Sequence, residues 1–155
     1  MMILILGLVL FFGLHLYATF RSRAPHADLR QRWGKAKYMG LFSVVSLLGL
    51  VLIVLGYRAM PNTEYLYAGI QHGRQWVPLI MLPAMILIVC SDLPRGYIKS
   101  TVRHPMLLAV ILWSSAHLID GASLRQLLLF GSFLGYAVID LVVVSMRATP
   151  DETPP

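Results

Sequence analysis

Two histidines stand inside long apolar runs of this 155-residue chain: His15 within residues 1–20 and His117 within residues 106–119. An ionisable side chain in hydrocarbon is costly, so each is a candidate functional site. Two roles compete for such imidazoles. They ligate something held between helices, or they brace helices through hydrogen bonds. Around His117, Trp113 and Ser114 share one helical face at i−4 and i−3, and Asp120 at i+3 can receive an imidazole N–H. Around His15 the sequence offers a partner by depth. His15 lies six residues before Arg21 and Asp140 seven before Arg147, so both stand roughly 10 Å above a charged helix end. Ser43 and Ser46, counted from Tyr38, fall in the same layer. Asp140 is therefore expected close enough to His15 to orient it, as a second carboxylate orients a ligand histidine. The alternative is that Asp140 bonds a serine or Tyr136.

A third histidine, His104, opens residues 106–119 as Arg103-His104-Pro105, with proline where a helix begins. Thirteen residues separate it from His117, which puts the two about 140° apart around a helix. His104 reads as an interfacial cap and a secondary candidate. His26 and His72 fall in loops. The single cysteine, Cys90, excludes an internal disulfide, and no Cys-x-x-Cys-His motif occurs for covalent haem attachment. Hydrolytic chemistry lacks its usual signatures: there is no Gly-x-Ser-x-Gly, no His-Glu-x-x-His and no phosphate-binding loop.

The elements that carry these residues are membrane spans. Hydrophobic residues make up 57% of the chain and charged residues 13%, against about 25% charged in soluble domains. The mean hydropathy is +0.71. Five apolar runs succeed one another: residues 1–20, 38–57, 76–90, 106–119 and 124–146. The first has no basic residue before its apolar core and is read as a retained helix rather than a leader. The third contains Pro78 and Pro83, which predict a kink. The fourth is short for a span, which takes about 20 residues, and needs residues 101–105 and 120–121 in the headgroup region.

Charge sets the orientation. Arg21, Arg23, Arg30, Arg32, Lys35, Lys37, Arg95, Lys99, Arg103 and Arg147 alternate with Arg58, Arg74 and Arg125 as five spans require. The positive-inside rule then places the N-terminus outside and the C-terminus inside. The pI near 9.8 reflects these flanks and not a nucleic-acid surface. Residues 1–147 are expected to form one transmembrane domain and residues 148–155 a disordered tail. Gly131 and Gly135 form a Gly-x-x-x-Gly pair, a candidate packing or homodimer contact. Ser43, Ser46 and Gly49 form a second small-residue stripe.

Taken together, the residues allow a bis-histidine haem b between facing helices, with His15 and His117 as axial ligands, apolar side chains as walls, and axial ligation, neighbouring bonds and burial tuning the iron. They equally allow a cofactor-free bundle. The pattern resembles the NnrU family of membrane proteins over most of residues 7–140. Its carriers are Phe12-Gly13-Leu14-His15, Lys37-Tyr38, Phe42-Ser43-x-x-Ser46-Leu47 and Gly56-Tyr57. Further along come Arg103-His104-Pro105-Met106-Leu107, Leu112-Trp113-Ser114-Ser115-Ala116-His117-Leu118 and Leu128-Leu129-Phe130-Gly131. The resemblance implies an accessory role in nitrite and nitric oxide reduction during denitrification, with membrane partners of nitrogen-oxide respiration. It also implies a distant relation to plant zeta-carotene isomerase, a haem b enzyme, with His15 and His117 matching its haem histidines. That isomerase has a cysteine three residues before its second histidine, where this chain has Ser114. The difference removes a thiolate ligand and weighs against isomerase-like ligand switching.

The expectation is thus an all-α, five-span inner-membrane bundle, N-out and C-in, in contact with lipid and not with nucleic acid. Its site residues are His15, His117, Trp113, Ser114 and Asp140. Three functions stay open. The first is a haem-b-binding accessory of denitrification. The second is a haem-dependent isomerase or redox enzyme acting on a lipophilic substrate such as a carotenoid or quinone. The third is a cofactor-free assembly or partner-binding protein.

Overall fold

Each apolar run becomes a helix, because a backbone in lipid must satisfy its own N–H and C=O groups. The computed structural model describes residues 1–21, 28–61, 65–70, 72–93 and 102–147. Arg23, His26, Arg95, Lys99 and the expected tail at 148–155 lie outside them. The chain divides into two compact units, Met1–Pro61 and Asn62–Pro155, each described by itself.

The first unit is an antiparallel helical hairpin. Helix α1 covers Met2–Phe20, a short α2 covers Leu29–Trp33, and α3 covers Lys35–Ala59. Apolar attraction between helices is weak in lipid, so close backbone approach must hold the pair. Glycine provides it. A Cβ placed on Gly7 would meet the Ile53 backbone N at 2.6 Å, one on Gly49 the Phe11 N at 3.0 Å, and one on Gly56 would collide with the Leu4 backbone. Gly49 and Gly56 are seven residues apart, two helical turns, so they lie on one seam with Ile53 between them. The small-residue stripe expected in α3 is therefore real but shifted: Gly49 is buried, Ser46 is half-buried, Ser43 is exposed, and Gly56 extends the seam.

Toward the other end of the hairpin, rings replace glycine. Phe11 and His15 of α1 face Phe42 and Tyr38 of α3. The connection is pinned by Asp28. Its carboxylate caps α2 through the Arg30 N–H at 3.0 Å and accepts from Arg21 Nη1 at 2.8 Å. The Arg21 guanidinium also lies over the Tyr38 ring, 5.6 Å from its centre.

The second unit runs β1 (Tyr65–Ala68), α4 (Gly73–Asp92), α5 (Pro105–Ile119), β2 (Gly121–Ser123) and α6 (Leu124–Arg147). Helix α5 packs against both α4 and α6, and Met106 is its one exposed residue. Pro78 and Pro83 do not end α4, which continues through both.

The strands are the departure from a purely helical expectation. β1 and β2 pair antiparallel, with Tyr65 opposite Ser123, Tyr67 opposite Ala122 and Ala68 opposite Gly121, and an irregularity between Tyr65 and Tyr67. Gly121 adopts φ +95°, with the Gly69 N only 2.8 Å from where a Cβ would stand; a larger residue has neither the backbone freedom nor the room. Ser123 then starts α6: its N–H and hydroxyl both donate to Gln126 Oε1, at 2.9 and 2.8 Å, the reaching-back half of a capping box.

Four helices, α1, α3, α4 and α6, are long and apolar enough to cross a membrane, while α5 has 15 residues. At 1.5 Å per residue α5 is about 22 Å long, short of a hydrocarbon core of about 30 Å. The ribbon continues the chain beyond its C-terminal end. Gly121–Ser123 is buried throughout, while its partner strand Tyr65–Ala68 is exposed.

Candidate histidine sites

His15 lies five residues from the end of α1 and His117 two from the end of α5. Their local chemistry is the same. His15 Nδ1 is 2.7 Å from the carbonyl oxygen of Phe11, and His117 Nδ1 is 2.8 Å from that of Trp113. A carbonyl only accepts, so Nδ1 carries the hydrogen in both. In the neutral imidazole this arrangement puts the lone pair on Nε2, the form in which imidazole binds a metal. A backbone carbonyl orienting the second nitrogen is the usual support of a ligand histidine.

Both rings are also flanked by aromatics, one of them four residues earlier on the same helix. His15 stacks on Phe11 with centres 4.2 Å apart and meets Phe42 of α3 edge-on at 5.1 Å. His117 stacks on Phe130 of α6 at 4.2 Å, with planes 19° apart, and is tilted against Trp113 at 5.1 Å. Trp113 in turn packs its edge against Phe130 and Phe133, at 5.1 and 5.5 Å. Phe11, Phe42, Phe130 and Phe133 are additions to the expected site residues. The repeated spacing of an aromatic four before each histidine is the sequence signal that points to the first of them.

Ser114 is fully buried, and its hydroxyl donates to the Val110 carbonyl at 2.7 Å. Asp120 caps α5 and is exposed, and the N–H it was expected to receive from His117 goes to Trp113 instead. The C-terminal turn of α5 is held by the ribbon. Tyr67 Oη donates to the Leu118 carbonyl at 2.5 Å, and the Ile70 N–H to that of Ile119 at 3.1 Å.

Asp140 accepts from Tyr136 Oη at 3.2 Å, one of the alternatives open to it. Its expected pairing with His15 would join the two units. His104 stands at the N-cap position of α5 but makes no side-chain cap hydrogen bond; it is thirteen residues or about 20 Å of helix from His117, so the two do not share a site. Its Nε2 is buried with no hydrogen-bond partner among the described residues. Gly131 and Gly135 leave open space: Leu127 Cδ1 lies 3.8 Å from a Cβ on the first, and nothing lies within 4 Å of one on the second.

A family model described as NnrU protein matches residues 3–155. This chain belongs to the NnrU family. No curated protein and no solved structure matches it. The matched range takes in both histidines of this NnrU-family chain and extends past the motifs at 7–140 on both sides.

Two further hydroxyls belong to the His15 neighbourhood. Tyr38, with 9% of its surface exposed, and Ser46 both bury a side-chain oxygen that has no hydrogen-bond partner among the described residues. Other hydroxyls of the helices bond a carbonyl one turn back: Thr19 to His15, Ser91 to Ile88, Ser114 to Val110 and Ser132 to Leu128.

Proposed function

We propose that this NnrU-family chain is a haem-b-binding protein of the bacterial inner membrane, accessory to nitrite and nitric oxide reduction, with His15 and His117 as the candidate iron ligands. The observation that carries the reading is the shared tautomer: both intramembrane histidines commit Nδ1–H to the carbonyl four residues back, which leaves Nε2 as the basic nitrogen. The aromatic faces of Phe11, Phe42, Trp113 and Phe130 suit a flat apolar macrocycle. Haem would supply a one-electron centre or a gas-binding iron, and the chain would supply two oriented neutral imidazoles and a water-poor setting. In this proposal α5 and the ribbon complete a fifth crossing, with the N-terminus outside and the C-terminus inside. Asp140 is kept as a candidate supporting carboxylate, and Trp113 and Ser114 share the helix that bears His117.

The test is the haemochrome spectrum of the full chain purified from haem-sufficient cells. A low-spin haem b signal that is lost in His15→Ala and in His117→Ala supports the proposal. Protein that purifies without haem, and loses stability in both variants, leaves the histidines as braces. That second reading, a cofactor-free assembly factor, draws on the ring stacking of His15 on Phe11 and His117 on Phe130.

A further inference from the structure

The α1–α3 hairpin changes character along its length. At the glycine seam the backbones touch and nothing can lie between them. Past Phe11 the facing side chains are Phe11, His15, Phe42 and Tyr38, in successive ring contact. Tyr38 and Ser46 sit four residues to either side of Phe42 on α3, one turn each way on the same face. Their two buried hydroxyls are the unpartnered ones among the described residues.

A buried hydroxyl without a partner forfeits a hydrogen bond that water would have given it. Ser46 has a remedy at hand, since a helical serine can turn to the carbonyl one turn back, as Ser114 and Ser132 do. Tyr38 has none of its own, because its ring holds the oxygen away from its own helix backbone. Its ring is fixed from one side by Arg21 and from another by Phe42, so its oxygen cannot swing out to solvent without breaking both contacts. Buried donors that a structure leaves unmatched are a frequent mark of a site for something else.

We infer that the Tyr38 and Ser46 hydroxyls are the polar contacts of a ligand site on the His15 side of the α1–α3 hairpin. The ligand is a flat conjugated ring system that carries oxygen acceptors. The rings of Phe11, His15 and Phe42 take its apolar faces, and the hydroxyls donate to its oxygens. Two sources fit that chemistry, the carboxylates of a porphyrin and the carbonyls of a quinone. The inference does not require an iron.

The experiment titrates the full chain, in detergent and freed of bound pigment, with iron protoporphyrin IX and separately with a short-chain ubiquinone. Tyr38→Phe and Ser46→Ala are compared with the parent protein, and the melting temperature of each ligand-free variant is recorded. A lost hydrogen bond of ordinary net strength weakens binding about five- to tenfold. Expected is that rise in Kd for Tyr38→Phe with at least one probe, and a smaller rise for Ser46→Ala. The ligand-free melting temperatures should stay unchanged or rise, because each variant removes an unsatisfied buried group. A purely structural hydroxyl cannot lower affinity and spare stability together.

The inference is overturned if neither probe binds. It also falls if both affinities are indifferent to Tyr38→Phe, or if Tyr38→Phe unfolds the protein, since its hydroxyl then has a structural partner. Haem retained through both histidines but indifferent to Tyr38, with no quinone bound, sinks this inference and leaves the haem proposal. Quinone binding that depends on Tyr38, in a protein that purifies without haem, does the reverse.

Discussion

The two histidine neighbourhoods are alike at the imidazole and unlike one shell away. Both His15 and His117 give Nδ1–H to the carbonyl four residues back, and both are packed by rings. Around His117 the hydroxyls are accounted for: Ser114 bonds Val110, Tyr67 bonds Leu118, and Ser132 bonds Leu128. Around His15, among the described residues, Tyr38 and Ser46 are not. On the His117 side, Ser114, Tyr67 and Ser132 each find a carbonyl within their own unit. A hairpin of two helices, closed at one end by glycine, has been left with donors to spare. The chemistry of the two imidazoles is set by the same local rule, while the hydroxyls near them are not matched alike.

The largest test of that contrast is steric. Gly56→Leu drives a side chain into the Leu4 backbone, and overpacking of this kind costs about 3 kcal/mol or more where backbone cannot yield. Gly135→Leu, with nothing within 4 Å of its Cβ, is expected to leave the unfolding midpoint in detergent within about 0.5 kcal/mol of the parent. Equal losses would mean that the glycine seam does not hold the hairpin. Next comes ring removal. Phe130 is buried and touches both His117 and Trp113, so Phe130→Ala should cost about 3–5 kcal/mol. Phe42 is half-buried, and Phe42→Ala should cost about half as much. Thermal unfolding of the two variants compares them directly, and the reverse order would overturn the picture of a finished α5–α6 site and an unfinished α1–α3 one.

Of this, the helices were legible and the ribbon was not. Apolar runs of fixed length announce spans, and the bounds of α5 and α6 moved by one residue from those expected. The ribbon pairs Tyr65–Ala68 with Gly121–Ser123 across more than fifty residues. Its second strand is Gly-Ala-Ser, residues with no strand preference, so only the fold reveals it. The roles of Trp113 and His117 could be read because they share one helix and its period. That of Tyr38 could not. Lys37 beside it is exposed, and what buries and fixes Tyr38 includes Arg21, which reaches it from across the connection. Asp140 belongs with Trp113 and His117: the hydroxyl it accepts from is that of Tyr136, four residues back on its own helix, a partner that helical spacing alone offers.

A smaller effect probes the ribbon. Tyr67→Phe removes the donor to the Leu118 carbonyl, the residue after His117, and should cost about 1 kcal/mol. Amide exchange should quicken in the last turn of α5, residues 116–119, and not in its first. Uniform quickening would mean that the ribbon stabilises the unit as a whole and does not position His117.

The smallest effect is expected at Ser114, three residues before His117. Ser114 is fully buried, which by itself suggests a large penalty for change. Its bond decides otherwise. The hydroxyl donates to the Val110 carbonyl, which already has a helical N–H available to it from the same turn. A second donor to such a carbonyl adds little and tends to bend the helix. Ser114→Ala therefore removes a hydroxyl that was satisfying only itself, leaves no unpaired acceptor, and should shift the unfolding midpoint by no more than about 0.5 kcal/mol. A loss near 2 kcal/mol would show that the hydroxyl is needed by a group other than Val110. The His117 neighbourhood would then be as unfinished as that of His15, and the contrast between the two would fall.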